Sequence, residues 1–302
     1  MYYTQVEMNN NKKQVDLYCP STTESAPVIL YIHGGAWVAG HPSKARHPCE
    51  SLAEKGFLCV VPEYSLSRAT NHQVIVAANL FILFMLTLAT ISKSVKQILV
   101  ILVLLLVFVS IFVIFWDWQD RQPPIQHPDH IMDIAAALQW TQDNIAAYGG
   151  DPNQIHVMGY SAGAHLAALL ATNTTYMEML GLSPSLIQSC ICISGIYSDK
   201  RLAETPLGQQ LLHTVFGKRN QYYDAFAIYN VSKQTPPFFL INADIDLNLK
   251  RHSFDFHYCL RQTGVYSEIR YYDKVHHWNI LENQDMIQHV TEFIHNTIPK
   301  MG

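Results

Sequence analysis

The chain is short of the features that would assign it to several large classes of protein. Only 15% of its 302 residues are charged, the formal net charge is −4, and no basic run is long enough to make a nucleic-acid surface. Its six cysteines, at positions 19, 49, 59, 190, 192 and 259, include no C-x-x-C pair and no metal-ligand spacing. They read as buried thiols of a reducing compartment, which argues against a disulfide framework or a zinc site. The amino terminus, Met1 to Met8, has no apolar core, so no secretory signal is expected there. The N-x-[ST] patterns at Asn173 and Asn230 would accept glycan only in a lumenal domain. The length is that of one large α/β domain with a substantial core.

What is present begins with Gly159-Tyr160-Ser161-Ala162-Gly163, which follows the apolar run Ile155 to Met158 and precedes Ala164 to Leu170. This is the composition of a nucleophile elbow. A strand ends, one residue is forced into a strained conformation, and a helix starts at once, with glycines where a side chain would collide with the neighbouring strand and helix. Upstream, Val28 to Ile32 reads as a buried strand running into His33-Gly34-Gly35-Ala36-Trp37, a turn able to aim backbone N–H groups at a developing oxyanion. Each pattern alone is common; their order and spacing together point to a serine hydrolase.

Around these motifs, apolar runs alternate with helical spacing as in a doubly wound, mostly parallel α/β sheet. Strands are expected at 28–32, 57–61, 154–158, 191–195, 237–241 and 269–272, and helices at 48–55, 129–147, after Ser161, and at 285–297. Residues 197–233 read as a small cap of short helices. Reactive loops belong at the carboxyl ends of parallel strands, which brings forward Asp246 after the 237–241 strand and the pair His276-His277 after 269–272. Asp246 is favoured over Asp244 because it lies farther beyond the strand end. His277 is favoured over His276 because it opens the run toward the last helix. In such a triad the histidine takes the serine proton and the aspartate fixes its tautomer, with no metal or organic cofactor. His165, inside the elbow helix, is expected to be structural.

One stretch does not fit the domain. Residues 74–91 and 98–116 are apolar and free of charged side chains, separated by the polar Ser92 to Gln97, and each is about the ~20 residues needed to cross a bilayer. Residues 69–122 are therefore expected to form an inserted membrane hairpin, with 1–68 and 123–302 as the catalytic domain. A helix pair buried in the core and a translated intron are the competing readings. Six Lys or Arg precede the first run, against Lys93 and Lys96 between the two. That imbalance favours a cytosolic catalytic domain.

Tyr31 to Gly40, Tyr148 to Pro152 and Met158 to Leu166 closely resemble the isoprenylcysteine methylesterases, membrane-associated α/β-hydrolases similar to the hormone-sensitive-lipase-like esterases and to kynurenine formamidase. The likeness extends to Ser194 to Tyr197, Thr235 to Phe239 and the Asp246 loop, and covers the chain outside 69–122. It implies an α/β-hydrolase fold with Ser161 as nucleophile, Asp246 as acid and His277 as base, His276 being the alternative. It further implies oxyanion donors among Gly34, Gly35 and Ala36 together with Ala162. The expected partners are a small lipophilic ester, such as a prenylated methyl ester, and the lipid bilayer. An arylformamidase-like amidase and a non-catalytic small-ligand-binding module are the alternatives. The chain departs from the family where Asn242-Ala243-Asp244 replaces a glycine-containing turn, in its paired histidines, and in the apolar insert.

Overall fold

The computed structural model describes residues 1–8, 13–21, 25–67, 107 and 124–297. The chain divides into two compact units, Met1–Ser67 with Ile125–Gly302, and Arg68–Pro124. Both apolar runs of the expected hairpin, 74–91 and 98–116, lie outside the described residues, Val107 apart. Among the described residues no helix is long and apolar enough to cross a membrane.

Eight strands form one sheet in the order β1-β2-β4-β3-β5-β6-β7-β8. They are β1 (Tyr2–Glu7), β2 (Gln14–Cys19), β3 (Ala26–Ile32), β4 (Leu58–Pro62), β5 (Gly150–Tyr160), β6 (Ile187–Ile193), β7 (Phe238–Ile245) and β8 (Ser267–His276). The six from β4 to β8 pair in parallel, while β2 runs against both its neighbours, β1 and β4. The longer helices are α1 (Arg46–Glu54), α2 (Asp129–Asn144), α3 (Ala162–Thr172), α4 (Pro206–Phe216), α5 (Lys250–Gln262) and α6 (Gln284–Thr297).

The central strands are apolar along their length because helices cover both faces of the sheet. Along β3, Val28, Leu30 and Ile32 pack on one side with Ile131, Ile134 and Leu138 of α2 and Leu166 and Leu169 of α3. Ile29 and Tyr31 point the other way, to Cys49 and Leu52 of α1 and Met286, Val290 and Phe293 of α6. That alternation is the period-2 geometry of a strand, used here to fill two cores at once. From β3 the chain steps to β4 on one side and later to β5 on the other. The strand order thus reverses between β3 and β5, the place where open α/β sheets form a crevice at the carboxyl ends of their strands.

Three elements escaped the sequence pattern. β1 extends the sheet edge with mostly exposed residues, β2 opens on Gln14 and interrupts its apolar residues with Asp16, and α5 carries so many His, Lys and Arg side chains that its buried residues, Phe256 and Leu260 among them, do not stand out. The expected helix at 129–147 ends as an α-helix at Asn144 and tightens into a single 3₁₀ turn, Ile145–Tyr148, closed by Gly149 with φ +88°.

Candidate active site

At the end of β5 the backbone turns through Ser161 with φ 54° and ψ −118°, and α3 starts at the next residue. A non-glycine residue with positive φ is strained, and here the surroundings leave no alternative. Ser161 N–H donates to Ile193 O at 2.8 Å, which carries the β5–β6 pairing into the turn. A Cβ on Gly159 would lie 2.3 Å from Gly163 O, and one on Gly163 would lie 2.0 Å from Ile32 O. Both glycines are therefore needed for α3 to start against β3 and β5.

The turn after β3 meets the elbow directly. A Cβ on Gly34 would lie 2.9 Å from Tyr160 O and 3.2 Å from Ser161 Cβ, so the glycine backbone borders the serine. The turn closes through Val38 and Ala39 N–H donating to Gly35 O at 3.1 and 2.9 Å. Gly35, Ala36 and Trp37 all have positive φ, at 134°, 51° and 60°. Among the described residues, the N–H groups of Gly34, Gly35 and Ala36 take no part in that closure. Ala162, as the first residue of α3, has no carbonyl one turn behind it within the helix.

A buried brace fixes this geometry. Trp37 Nε1–H donates to His165 Nδ1 at 3.2 Å, and His165 Nε2–H donates to Ala225 O at 2.8 Å. The two bonds settle the tautomer, and burial pushes the His165 pKa down to about 3, so the ring is neutral. Phe216 and Phe226 pack edge-on around the imidazole. His165 is structural, as its place in the helix implied, and it joins the β3 turn, α3 and the 197–233 segment.

On the far side of Ser161, β7 and β8 bring two more expected residues together. His277 Nδ1 and Asp246 Oδ1 are 2.6 Å apart, both residues at or below 5% exposure. Asn242, fully buried on β7, donates through Nδ2 to Asp246 Oδ2 at 2.9 Å. Tyr160, the residue before the serine, donates its hydroxyl to His277 O at 2.7 Å, and its ring lies 4.9 Å from the imidazole. The alternatives sit elsewhere: Asp244 is exposed and paired with Lys250, which holds its carboxyl below the usual range, and His276 is exposed. Ser161 Oγ makes no hydrogen bond to the imidazole among the described residues; such contacts are often long until substrate binds. Neither Asn242 nor Tyr160 was singled out in the sequence. Tyr160 lay inside the elbow motif, and Asn242 lay where the family turn departs.

Among the described residues no group of three or more His, Cys, Asp or Glu side chains is placed to hold a metal ion. A groove of about 800 Å³ lined by Arg201, Tyr229, Phe254, Tyr258 and Cys259 contains none of the expected site residues.

A mostly parallel sheet covered on both faces, with a strained serine elbow at its switch point and an aspartate–histidine pair on the later strands, defines the α/β-hydrolase fold. Comparison with known proteins agrees. The Carboxylesterase family model matches residues 130–257 and the BD-FAE model residues 15–85. The probable carboxylic ester hydrolase LipM of Mycobacterium tuberculosis is 27% identical over 236 residues, 74% of this chain and 42% of LipM. Isoprenylcysteine alpha-carbonyl methylesterase ICME of Arabidopsis thaliana is 23% identical over 210 residues, 68% of this chain and 37% of that protein. The chain thus spans less than half the length of these curated relatives. In fold, the Pyrobaculum calidifontis esterase superposes with a TM-score of 0.67 at 18% identity, covering 98% of this chain and 85% of the esterase. The carboxylesterase EstE1 gives 0.68 at 15%, covering 98% and 88%. The chain has the α/β-hydrolase fold and is similar in sequence to carboxylic ester hydrolases and isoprenylcysteine methylesterases.

Proposed function

We propose that this protein is a serine carboxylic-ester hydrolase working through an acyl-enzyme at Ser161. The observation that carries the reading is the buried Asp246–His277 bond of 2.6 Å at the same carboxyl end of the parallel strands as a serine held at φ 54°. With Nδ1 engaged by Asp246, Nε2 is the ring nitrogen left to take the Ser161 proton. Ser161 Oγ bonds to the ester carbonyl carbon as its proton passes to Nε2, and the carbonyl oxygen becomes an oxyanion. Backbone N–H groups of Gly34, Gly35 or Ala36, with that of Ala162, are in position to stabilise it. Collapse breaks the bond to the alcohol oxygen, which leaves with the proton from Nε2. Water repeats the sequence on the acyl-enzyme and releases the acid.

The substrate we infer is a lipophilic ester, a prenylated methyl ester being one such. Support comes from the neighbours of the acid and base: Ile245, Leu247 and Trp278 are 53%, 63% and 70% exposed. Large apolar side chains left in water around a polar pair suit an apolar ligand or a lipid interface. The apolar runs 74–91 and 98–116 further support attachment to a bilayer with the catalytic unit on the cytosolic side. Carbonate extraction of membranes tests the attachment, with retention in the pellet expected and complete release counting against it.

For the activity itself, p-nitrophenyl acetate and formanilide should be offered to the purified protein and to Ser161→Ala. Turnover of the ester that disappears in Ser161→Ala is expected. Turnover of formanilide alone would replace the esterase by an amidase.

A further inference from the structure

We infer that Asn242 is a positioning residue for the acid, its side-chain amide holding one oxygen of Asp246 so that the other meets His277 Nδ1; this rests on the hydrolase reading above. Each carboxylate oxygen has its own donor, Asn242 Nδ2 at 2.9 Å on Oδ2 and His277 Nδ1 at 2.6 Å on Oδ1. Two donors at opposite ends fix the rotation of the carboxylate, which one bond alone would leave free. The amide bond also stabilises the ionised form in a place where water is scarce.

A structural role alone does not explain this asparagine. It sits inside β7, opposite Tyr271 of β8, with no exposed surface, so it neither caps a helix nor forms a turn. Its Oδ1 is buried and has no hydrogen-bond partner among the described residues. A buried amide that leaves its acceptor unpaired lowers stability, and an apolar side chain of the same size would avoid that penalty. What the amide has that leucine lacks is the donor aimed at Asp246. The charged and titratable groups facing Asp246 are His277 from the end of β8 and the Tyr160 phenol from β5, whose pKa is raised by burial first and by Asp246 next. Asp244 and Lys250 pair with each other on the exposed side.

The test compares Asn242→Leu and Asn242→Asp with the wild-type chain on a soluble short ester across pH. A wild type without turnover and without fluorophosphonate labelling would defeat the hydrolase reading itself and is recognised before any variant is made. With an active wild type, Asn242→Leu removes the unpaired Oδ1 but also leaves Asp246 Oδ2 without its donor, so the fold should persist with a melting temperature no higher than the wild type, while kcat falls roughly 10- to 100-fold, the worth of one charge-assisted hydrogen bond, with KM nearly unchanged. The acid limb of its kcat/KM profile should move to higher pH, because the aspartate–histidine pair now holds its proton more tightly. Asn242→Asp has the same shape but can donate only while protonated, so its activity should decline as pH rises, opposite to the wild type. A folded Asn242→Leu with wild-type kcat and pH profile would overturn the inference. If that variant does not fold, an Asn242→Asp profile parallel to the wild type overturns it equally.

Discussion

Asp244 and Asp246 lie two apart at the end of one strand, and a regular strand would point them to the same face. They do not share a fate, because the ladder is irregular here. Ala243 pairs with Tyr272 and Ile245 with His276, so the step of two residues on β7 faces a step of four on β8. The extra residues lie on β8, with Lys274 at φ 59°, and around this irregular pairing Asp244 meets Lys250 while Asp246 meets His277. Counting residues brings both pairs of candidates to these two loops, but it does not fix the register across a bulge that no local residue pattern announces. The serine was more legible, since its elbow is written in glycines whose absent Cβ atoms are required by contact distances. At this scale, Asp246→Asn and His277→Ala should each lower kcat on a short ester by ~10⁴-fold or more with unchanged circular dichroism. Asp244→Asn and His276→Ala should stay within about threefold, the range of a surface change. Silencing by His276→Ala would show that the base is the exposed ring.

At the scale of elements, the buried parallel strands announced themselves as apolar runs, whereas β1, exposed at the sheet edge, and β2, whose buried residues flank the polar Asp16, did not. The Trp37–His165–Ala225 chain was illegible for a different reason: it joins residues up to 188 positions apart through single hydrogen bonds, a property of the packed fold and of no local pattern. The two ends of the insert are also joined. Ser67 Oγ–H donates to Ile125 O at 2.8 Å and lies 3.0 Å from His130 Nε2, while Ser67 N–H donates to Trp37 O at 2.8 Å. Residues 68–124 therefore leave and re-enter the unit of Met1–Ser67 and Ile125–Gly302 at one point. Replacing them with a short Gly/Ser linker should give a folded protein that hydrolyses short esters, because closing a loop between adjacent ends depends only weakly on its length. Size-exclusion chromatography and ester turnover check this; an aggregated product without activity would mean that the unit needs the insert to fold.

For the molecule as a whole, buried histidines set the acid limit. Burial is the leading cause that lowers His127, His130, His156 and His252 to about 4 and His165 to about 3. In the unfolded chain these rings titrate at about 6.5, and a tenfold change in proton affinity corresponds to about 1.4 kcal/mol. Below that pH the unfolded chain takes up protons that the folded chain refuses, so stability is fully present above about 6.5 and falls continuously as the pH drops toward about 4. The melting temperature should follow the same course, with proton uptake on unfolding measurable by calorimetry in buffers of different ionisation enthalpy. A melting temperature constant from about pH 7 to 4.5 would mean that the rings are hydrated or charged in the folded state.

Activation of Ser161 as a nucleophile can be measured with a fluorophosphonate probe, without knowledge of the substrate. The probe should form one adduct on the folded protein, mapped by mass spectrometry to the peptide carrying Ser161, and the adduct should be absent in Ser161→Ala and strongly reduced in His277→Ala. A well-folded protein that takes up no probe, or that takes it up equally without Ser161, would contradict the account.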